Sequence, residues 1–171
     1  MKFSDLPRRI TPGHYQVDVS WRDLKEHVAR WTEHKLSPFN MNPDFQRGHV
    51  WTRDQQIAYV EFKLSGGAGS DIIYCNCPGW MNDFKGPFVL VDGLQRLTAA
   101  LRFLDGEIPA FGYYIGDFED KPYSADFKFA VNNLKSQKDV LTWYVQMNEG
   151  GTPHSIEELT RVKAMIGSCE G

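Results

Sequence analysis

The residues most capable of chemistry lie in the segment 91–98, where an apolar strand, a glycine and polar side chains meet at the start of a helix. The segment is Val-Asp-Gly-Leu-Gln-Arg-Leu-Thr. The first N–H groups of a helix lack partners within the helix, and that end is positive, so it binds phosphate. Gly93 would let a ligand approach the backbone, and Arg96 can donate two parallel hydrogen bonds to phosphate. The same pattern is typical of a plain capping turn, with Asp92 as N-cap and Arg96 in solvent.

Two further segments place polar side chains beside turns. The segment 42–51 carries Gln46 and Arg47 between aromatic residues, just before a helix. Read alone, it is a strand edge followed by a loop. The segment 148–153 is Asn-Glu-Gly-Gly-Thr-Pro, which read alone is a helix stop with glycine. Neither segment indicates a function by itself.

Other catalytic signatures are missing from the sequence. The glycine-rich stretch 66–70 has no lysine that would reach a phosphate, and the five histidines are scattered. Cys75 and Cys77 lack the spacing of a zinc pair, and a strand would place both thiols on one buried face. With Cys169 the cysteine count is odd, and the N-terminus has no apolar run. We therefore expect a reducing, cytoplasmic location.

Composition describes an ordinary globular chain. Its 171 residues, 42% hydrophobic and 24% charged, suit one domain. The net charge of −3 argues against coating nucleic acid through bulk charge. Aromatic residues make up 13%, which favours an aromatic core but also allows rings that stack on bases. No apolar stretch is long enough to span a membrane.

The elements that must position these residues follow from hydrophobic periodicity and caps. In the first half of the chain, the patterns predict a strand over 14–19, a helix capped by Ser20, an extended connection between Pro38 and Pro43, and a helix after a Thr52/Gln55 capping box. Next they predict a strand over 71–75, a loop over 78–86, a buried strand over 88–91, a helix from Gly93 to Gly106 and a strand over 108–114. The last predicted elements are helices over about 125–134, 137–147 and 155–166, of which the last has a Ser155/Glu158 capping box. The predicted buried helix faces are Trp21, Leu24, Val28 and Trp31; Ile57, Val60 and Leu64; and Leu94, Leu97, Leu101 and Leu104. This order predicts an α+β fold with strands first and helices last.

Taken together, the three segments resemble the GmrSD-type family, the N-terminal domain of many modification-dependent restriction systems, which belongs to the ParB/sulfiredoxin superfamily. Its motifs are Pro, aromatic-Gln-Arg and Trp, then Asp-Gly-Gln-Gln-Arg-Leu-Thr, then Asn-x-Gly-Gly-Thr-Pro. Their order and spacing agree over about residues 39–166. The matching residues are Pro43, Phe45, Gln46, Arg47, Trp51, Asp92, Gly93, Gln95, Arg96, Leu97, Thr98 and Asn148 to Pro153.

The resemblance implies a compact ParB/sulfiredoxin-like α+β domain, with a small mixed sheet, flanking helices and a helical C-terminal part. It divides the chain into an extension at 1–38, whose helix packs on the core or serves as a partner surface, and a nucleotide-binding domain at 39–171. ParB relatives bind CTP, and sulfiredoxin and free-serine-kinase relatives transfer a phosphoryl group from ATP. We therefore expect ATP, GTP or CTP as cofactor, with Mg²⁺.

The resemblance also implies roles for particular residues. Expected to hold the nucleotide are Gly93, Arg96, Thr98, Phe45, Trp51 and Asn148. In catalysis, we expect Arg96 and, as a second cation over the transferred group, Arg47. Asp92 is expected to be a metal ligand or proton acceptor, and Gln46 or Gln95 to orient the nucleophile.

Two departures from the family pattern bear on function. Leu94 replaces the usual first Gln, and a leucine cannot hydrogen-bond a nucleotide or a water molecule. The nuclease domain of larger members is also missing from this sequence. We therefore expect an NTPase, or a small kinase acting on a hydroxyl of modified DNA in phage or bacterial DNA modification and defence. The alternative is a nucleotide-gated DNA-binding or regulatory subunit that recruits or inhibits a nuclease; superfamily relatives often form homodimers.

Overall fold

The computed structural model describes residues 15–46, 48, 50–81, 84–120, 125–149 and 156–169. It is a mixed α and β structure, as predicted. In chain order its elements are β1 (Tyr15–Ser20), α1 (Trp21–Thr32), β2 (Phe39–Asn40), α2 (Arg53–Leu64), β3 (Ile72–Asn76), β4 (Phe88–Asp92), α3 (Leu94–Leu104), a 3-10 turn (Ile115–Asp117), β5 (Asp126–Asn132), α4 (Gln137–Glu149) and α5 (Ile156–Ser168).

The described strands form one mixed sheet in the order β1-β5-β3-β4-β2. β1 runs antiparallel to β5, β5 parallel to β3, β3 antiparallel to β4, and β4 parallel to β2. The register pairs Ile73 with Phe129 and Cys75 with Leu90. The central strand β3 therefore joins parts of the chain that are far apart in sequence.

Both faces of this sheet are covered along its inner strands. Along β4, Phe88 and Leu90 pack into a first core with α1, α2 and α3, whereas Val89 and Val91 face a second core with α4 and α5. The alternation follows from the strand geometry, in which successive side chains point to opposite faces. The result is three layers, with the sheet in the middle.

The helix after Ser20 is confirmed, and so is its packing on the core. The Ser20 hydroxyl caps α1 by accepting from the backbone N–H of Arg22. Trp21, Leu24 and Val28 are buried in the first core. The preceding strand β1 pairs with β5, so residues 15–32 share the sheet and the core of the rest of the chain.

The capping box of α2 is confirmed, but its buried face differs from the prediction. Tyr59 and Val60 are buried together with two polar side chains, Gln56 and Lys63. A buried polar group needs a partner, and the Lys63 ammonium forms an ion pair with the Asp71 carboxylate. The periodicity of apolar residues alone could not indicate these polar contacts.

The buried face of α3 also differs in part from the prediction. Leu94 and Leu97 are buried as expected, but Ala99, Ala100 and Phe103 are buried in place of Leu101 and Leu104.

Two predicted elements are wrong. Residues 126–132, predicted as a helix, form β5, with Phe127, Phe129 and Val131 in the first core. The alternation of apolar residues with period two therefore indicates the strand that this segment forms. Because β5 follows α3, the prediction that all strands precede the helices is also wrong. The predicted strand over 108–114 is a tight turn, because Phe111 and Gly112 have positive φ angles of 51° and 80°.

The C-terminal helices α4 and α5 are confirmed, while the predicted Ser155/Glu158 capping box lies outside the described residues. Cys75 and Cys77 are buried, as expected, and burial raises the pKa of the Cys75 thiol well above its usual value. Among the described residues, no helix has both the length and the apolar character to cross a bilayer.

Candidate functional site

A cavity of about 380 Å³ lies where the end of β4, the start of α3 and the end of α4 meet. It contains parts of all three segments that the sequence singled out. The lining residues are Gln46, Trp51, Tyr59, Ser70, Val91, Asp92, Gly93, Leu94, Gln95, Arg96, Tyr144, Met147 and Asn148.

The start of α3 forms one wall of this cavity. Gly93 is its N-cap and has no side chain to cap the helix. The Leu97 N–H donates to the Gly93 carbonyl at 2.9 Å, so the backbone bonding of the helix begins there. By helix geometry the N–H groups before Leu97 have no partner within α3. The capping turn with Asp92 as N-cap is therefore wrong, and an uncapped, positive helix end borders the cavity.

Gly93 is required by packing as well as by conformation. Its φ is +107°, a left-handed value that side chains rarely adopt. A Cβ at this position would lie 2.6 Å from Cδ1 of Ile73 on β3. On this side of the backbone, the space beside Gly93 is therefore occupied by the core side chain of Ile73 and not by a ligand.

Arg96 is held by Asp92 one turn away. Its Nη2 donates to Oδ2 of Asp92 at 2.5 Å, and both side chains are at least partly buried. A charge-assisted bond of this kind orients the guanidinium along the cavity wall. Arg96 is therefore not the solvated side chain of a simple capping turn.

Asp92 is expected to be a metal ligand, but the described residues do not place further metal ligands beside it. In the part of the chain that the structure describes, no three His, Cys, Asp or Glu side chains are placed to hold a metal ion together. The Asp92 carboxylate contacts Arg96 instead. A magnesium ion at this wall would take most of its ligands from phosphate and water, as this ion commonly does.

Gln95 ties α3 to the segment before α2. Its Oε1 accepts from the backbone N–H groups of Val50 and Trp51 at 2.9 and 3.1 Å. Its Nε2 donates to the carbonyl of Gly48 at 3.3 Å. Both ends of the amide are used in this way, so the contacts of Gln95 position Trp51 at the cavity.

Two other glutamines hold the same segment. Nε2 of Gln46 donates to the Leu90 carbonyl on β4 at 2.8 Å. Nε2 of Gln56 donates to the Trp51 carbonyl at 3.0 Å, while its Oε1 accepts from Arg102 at 2.7 Å. The backbone of Trp51 is thus fixed on both its N–H and its C=O side.

Two residues expected to hold a cofactor lie outside the cavity lining. Phe45 is buried in the second core, with its ring 5.4 Å from that of Tyr144 in a T-shaped contact. Thr98 is half-buried one turn along α3 from Gly93. Gln46, the neighbour of Phe45, lines the cavity, whereas the Phe45 ring packs into the second core. Arg47 and residues 150–153 lie outside the described residues.

The C-terminal part contributes as expected through Asn148. Its Nδ2 donates to the Tyr144 carbonyl one turn earlier, at 2.7 Å. Arg161 on α5 was not expected: Nη1 donates to the carbonyl of Asp44 at 2.7 Å and Nη2 to that of Phe45 at 3.1 Å. A single arginine on a helix carries no local signal for a contact so distant in sequence.

Tyr59 is a further lining residue that sequence reasoning missed. Its hydroxyl donates to the Ser70 carbonyl at 3.2 Å, and its ring lies 5.4 Å from that of Trp51. Burial raises the pKa of the Tyr59 phenol far above its ordinary range; the Arg96 charge opposes the shift and Asp71 adds to it. The phenol therefore stays neutral and can donate at physiological pH.

The cavity thus combines a positive helix end and a guanidinium, which attract an anion, with aromatic walls, which contact a flat ring. Comparison with protein-family models, with curated proteins and with solved structures gives no match to this chain. The functional interpretation therefore depends on the residues of the cavity.

Proposed function

We propose that this protein binds a nucleoside triphosphate in the cavity at the start of α3 and transfers its terminal phosphoryl group to water or to a hydroxyl acceptor. The observation that supports this most is the shared wall formed by the uncapped start of α3 and the Arg96 guanidinium. Both features favour phosphate. The cavity volume of about 380 Å³ lies within the range of small-molecule sites.

The remaining walls suit a nucleoside. Trp51 and Tyr144 present aromatic side chains to the cavity, and bases stack on such rings. Leu94, in the place of the family's usual glutamine, is buried and offers an apolar contact. Asn148 supplies an amide near these rings. In this proposal the phosphates lie at the α3 end and the base toward α4.

The three sequence motifs support the same proposal. Their resemblance to the GmrSD-type family and the ParB/sulfiredoxin superfamily implies a nucleotide pocket, and a mixed sheet with flanking helices is compatible with that fold. We include in the proposal that the chain is a ParB/sulfiredoxin-like domain. On the same basis, its biological setting would be DNA modification or defence.

Phosphoryl transfer depends mainly on positioning and on stabilising charge. Arg96 would neutralise negative charge that develops on the transferred group. Among the described residues that line the cavity, Asp92 alone carries a carboxylate. It would keep Arg96 oriented and accept the proton of the attacking hydroxyl. Magnesium entering with the nucleotide would supply further charge neutralisation.

A second candidate function is nucleotide binding without turnover, in a subunit that regulates a nuclease or a DNA-binding partner. The contacts of Gln46 and Gln95 favour it, because the amides expected to orient a nucleophile donate to or accept from backbone groups instead. A ligand at this wall would then act by moving the segment that these glutamines hold.

One experiment distinguishes these functions. Purified protein is incubated with γ-labelled ATP, GTP and CTP and magnesium, alone and with unmodified or base-modified DNA. Label on DNA or on a small acceptor supports a kinase, and free labelled phosphate supports an NTPase. Binding without release of label supports the regulatory subunit.

Variants test the site itself. We expect Arg96→Ala to weaken nucleotide binding by about tenfold or more, because a charge-assisted hydrogen bond is worth roughly 1.5–3 kcal/mol. Arg30→Ala, on the exposed face of α1, serves as the matched control and should leave binding unchanged. Unchanged binding in Arg96→Ala would show that the phosphate site is elsewhere.

A further inference from the structure

A rigid turn on another part of the surface displays a cluster of aromatic side chains. We propose that this aromatic turn, residues 110–118, is a docking surface for an arginine-rich segment of a partner protein. Phe111 and Tyr113 are 52% and 59% exposed, and Tyr114 and Phe118 are exposed as well. The lining of the nucleotide cavity comes from other segments, so this surface adds a function to the proposed one.

The turn is held in shape before any partner binds. Ala110 and Tyr113 exchange two backbone hydrogen bonds of 2.8 and 2.9 Å. The Phe111 N–H donates to Oε1 of Glu61 on α2 at 2.7 Å, and the Tyr114 N–H donates to Oδ2 of Asp117 at 2.8 Å. A preformed surface loses little conformational freedom on binding, which favours affinity.

Phe111 stands in a strained backbone conformation. Its φ is +51°, in the left-handed region that bulky side chains rarely adopt. Glycine or asparagine would form the same turn at less cost, and the exposed phenylalanine ring contributes little core packing in return. Strain of this kind occurs at functional sites; because Phe84 has the same strain, the assignment to this turn depends on the charges and rings around Phe111.

The stretch of chain that carries the turn is anionic. Between Arg102 and Lys121 the sequence contains no basic residue and no histidine. Two carboxylates there are paired with neighbouring cations, Asp105 with Lys25 and Glu107 with Arg102. The other three acidic residues of this stretch are exposed and lie within or directly after the turn: Asp117, Glu119 and Asp120.

The combination of aromatic rings and carboxylates indicates which chemical group of a partner would bind here. The rings of Tyr113 and Phe118 lie 6.1 Å apart in a T-shaped arrangement, with Phe103 behind Phe118 at 6.2 Å. A guanidinium stacks on such rings and pairs with carboxylates, and it does so better than an ammonium. Phosphate backbones would be repelled by the same charges. The surface therefore fits a protein segment rich in arginine.

The chain contains a matched control for Phe111. Phe84 is also exposed, at 51%, and also has a positive φ, of 52°, but its sequence neighbours Asp83 and Lys85 carry one charge of each sign. Glycine at either position should relieve the backbone strain and raise Tm by about 2–4 °C. Only the change at Phe111 should alter binding at the turn.

The test titrates the full-length protein into fluorescein-labelled nona-arginine at low ionic strength and follows fluorescence anisotropy. We expect Phe111→Gly to weaken binding by about fivefold, which is the loss of one cation–π contact of about 1 kcal/mol, while Phe84→Gly binds like the wild type. Nona-lysine should bind the wild type more weakly than nona-arginine. The pair Glu119→Gln and Asp120→Asn should reduce both the affinity and its dependence on salt.

Several results would overturn the proposal. Wild-type affinity for nona-arginine in Phe111→Gly, or an equal loss in Phe84→Gly, would show that the turn is not the binding surface. Tighter binding of single-stranded DNA, lost in Phe111→Gly, would make the ligand a nucleic acid. A dimer in sedimentation that Phe111→Gly dissociates would make the partner a second copy of this chain.

Discussion

The turn between β4 and α3 and the segment 42–51 both border the proposed nucleotide site, but different forces hold them. The turn consists of a buried strand, a left-handed Gly93 and a helix, so its backbone bonds define it locally. In the segment 42–51, the described residues 42–46, 48, 50 and 51 belong to no helix or strand. Side chains hold this segment by hydrogen bonds to its backbone: Gln95 and Arg161 come from distant elements, and Gln56 comes from the adjacent helix α2.

This difference indicates how each region should respond to mutation. The turn depends on the absence of one side chain, at Gly93, because a Cβ there meets β3. The segment depends on the presence of several polar side chains, each of which supports part of it. We therefore expect one large effect in the turn and several smaller ones around the segment.

The largest effect is expected for Gly93→Ala. The alanine must adopt a left-handed φ of +107°, and its Cβ would lie 2.6 Å from Cδ1 of Ile73. Strain of this kind and overpacking each cost about 1–3 kcal/mol, so we expect a loss of about 3 kcal/mol in the free energy of unfolding. Urea denaturation followed by tryptophan fluorescence measures it.

A control separates the two contributions. Gly112 also has a positive φ, of +80°, but a Cβ there would meet no atom within 4 Å. Gly112→Ala should therefore lose only the conformational part, about 1 kcal/mol. Ile73→Val removes the clashing Cδ1 and should recover part of the loss in the Gly93→Ala background. An equal loss at both glycines would contradict the packing argument.

The same difference explains what the sequence could predict. The β4–α3 turn was predictable because its apolar strand, its glycine and its helix periodicity are all local. The strand β5 was predicted as a helix although Phe127, Phe129 and Val131 alternate along it, which is a local strand signal. Pairing with the distant strands β1 and β3 places these alternate residues on one buried face.

The candidate site follows the same rule. Asp92, Arg96 and Asn148 were found because their motifs are short and continuous, and the structure brings them to one cavity. Tyr59 could not be found, because it reaches the cavity only through the packing of α2 on α3. Phe45 is expected at the cofactor but lies in the second core, because a motif cannot show on which side of an irregular segment a ring lies.

The next effect is expected for Arg161→Ala. This change leaves the carbonyls of Asp44 and Phe45 without the two guanidinium hydrogen bonds that join α5 to the segment. Hydrogen bonds from a charged group contribute about 1.5–3 kcal/mol, and because Arg161 is exposed to water we expect the lower end of that range, about 1.5 kcal/mol. Arg161→Lys can keep one of the two bonds and should lose about half as much. Equal stability of all three proteins in urea denaturation would show that α5 does not support the segment.

A smaller effect on stability is expected for Gln95→Ala. The change removes two accepted hydrogen bonds and one donated bond, all partly exposed, so we expect a loss of about 1 kcal/mol. Nucleotide binding should weaken as well, because Trp51 loses the restraint on its N–H side. Gln95→Glu retains the acceptor for Val50 and Trp51 and is the matched control for the stability measurement, whereas its added negative charge at the cavity should weaken nucleotide binding.

A double-mutant cycle sharpens this test. Gln56 holds the carbonyl of Trp51, while Gln95 holds its N–H. Since both act on one residue, the losses from Gln95→Ala and Gln56→Ala should not add, and a coupling of at least about 0.5 kcal/mol is expected. Simple additivity in unfolding measurements would mean that the two glutamines act independently.

The smallest effect on stability is expected for Asp92→Asn, even though it lies in the turn. An ion pair between residues four apart on a partly exposed helix start contributes only about 0.5 kcal/mol or less. Asparagine still offers Arg96 an oxygen acceptor, so nucleotide binding should stay close to wild type. Turnover should fall by roughly a hundredfold, because the amide cannot accept a proton. Asp92→Ala leaves Arg96 without its acceptor and should weaken binding too. Full turnover in Asp92→Asn would show that the carboxylate serves only to position Arg96, and that the proton of the acceptor goes to another group.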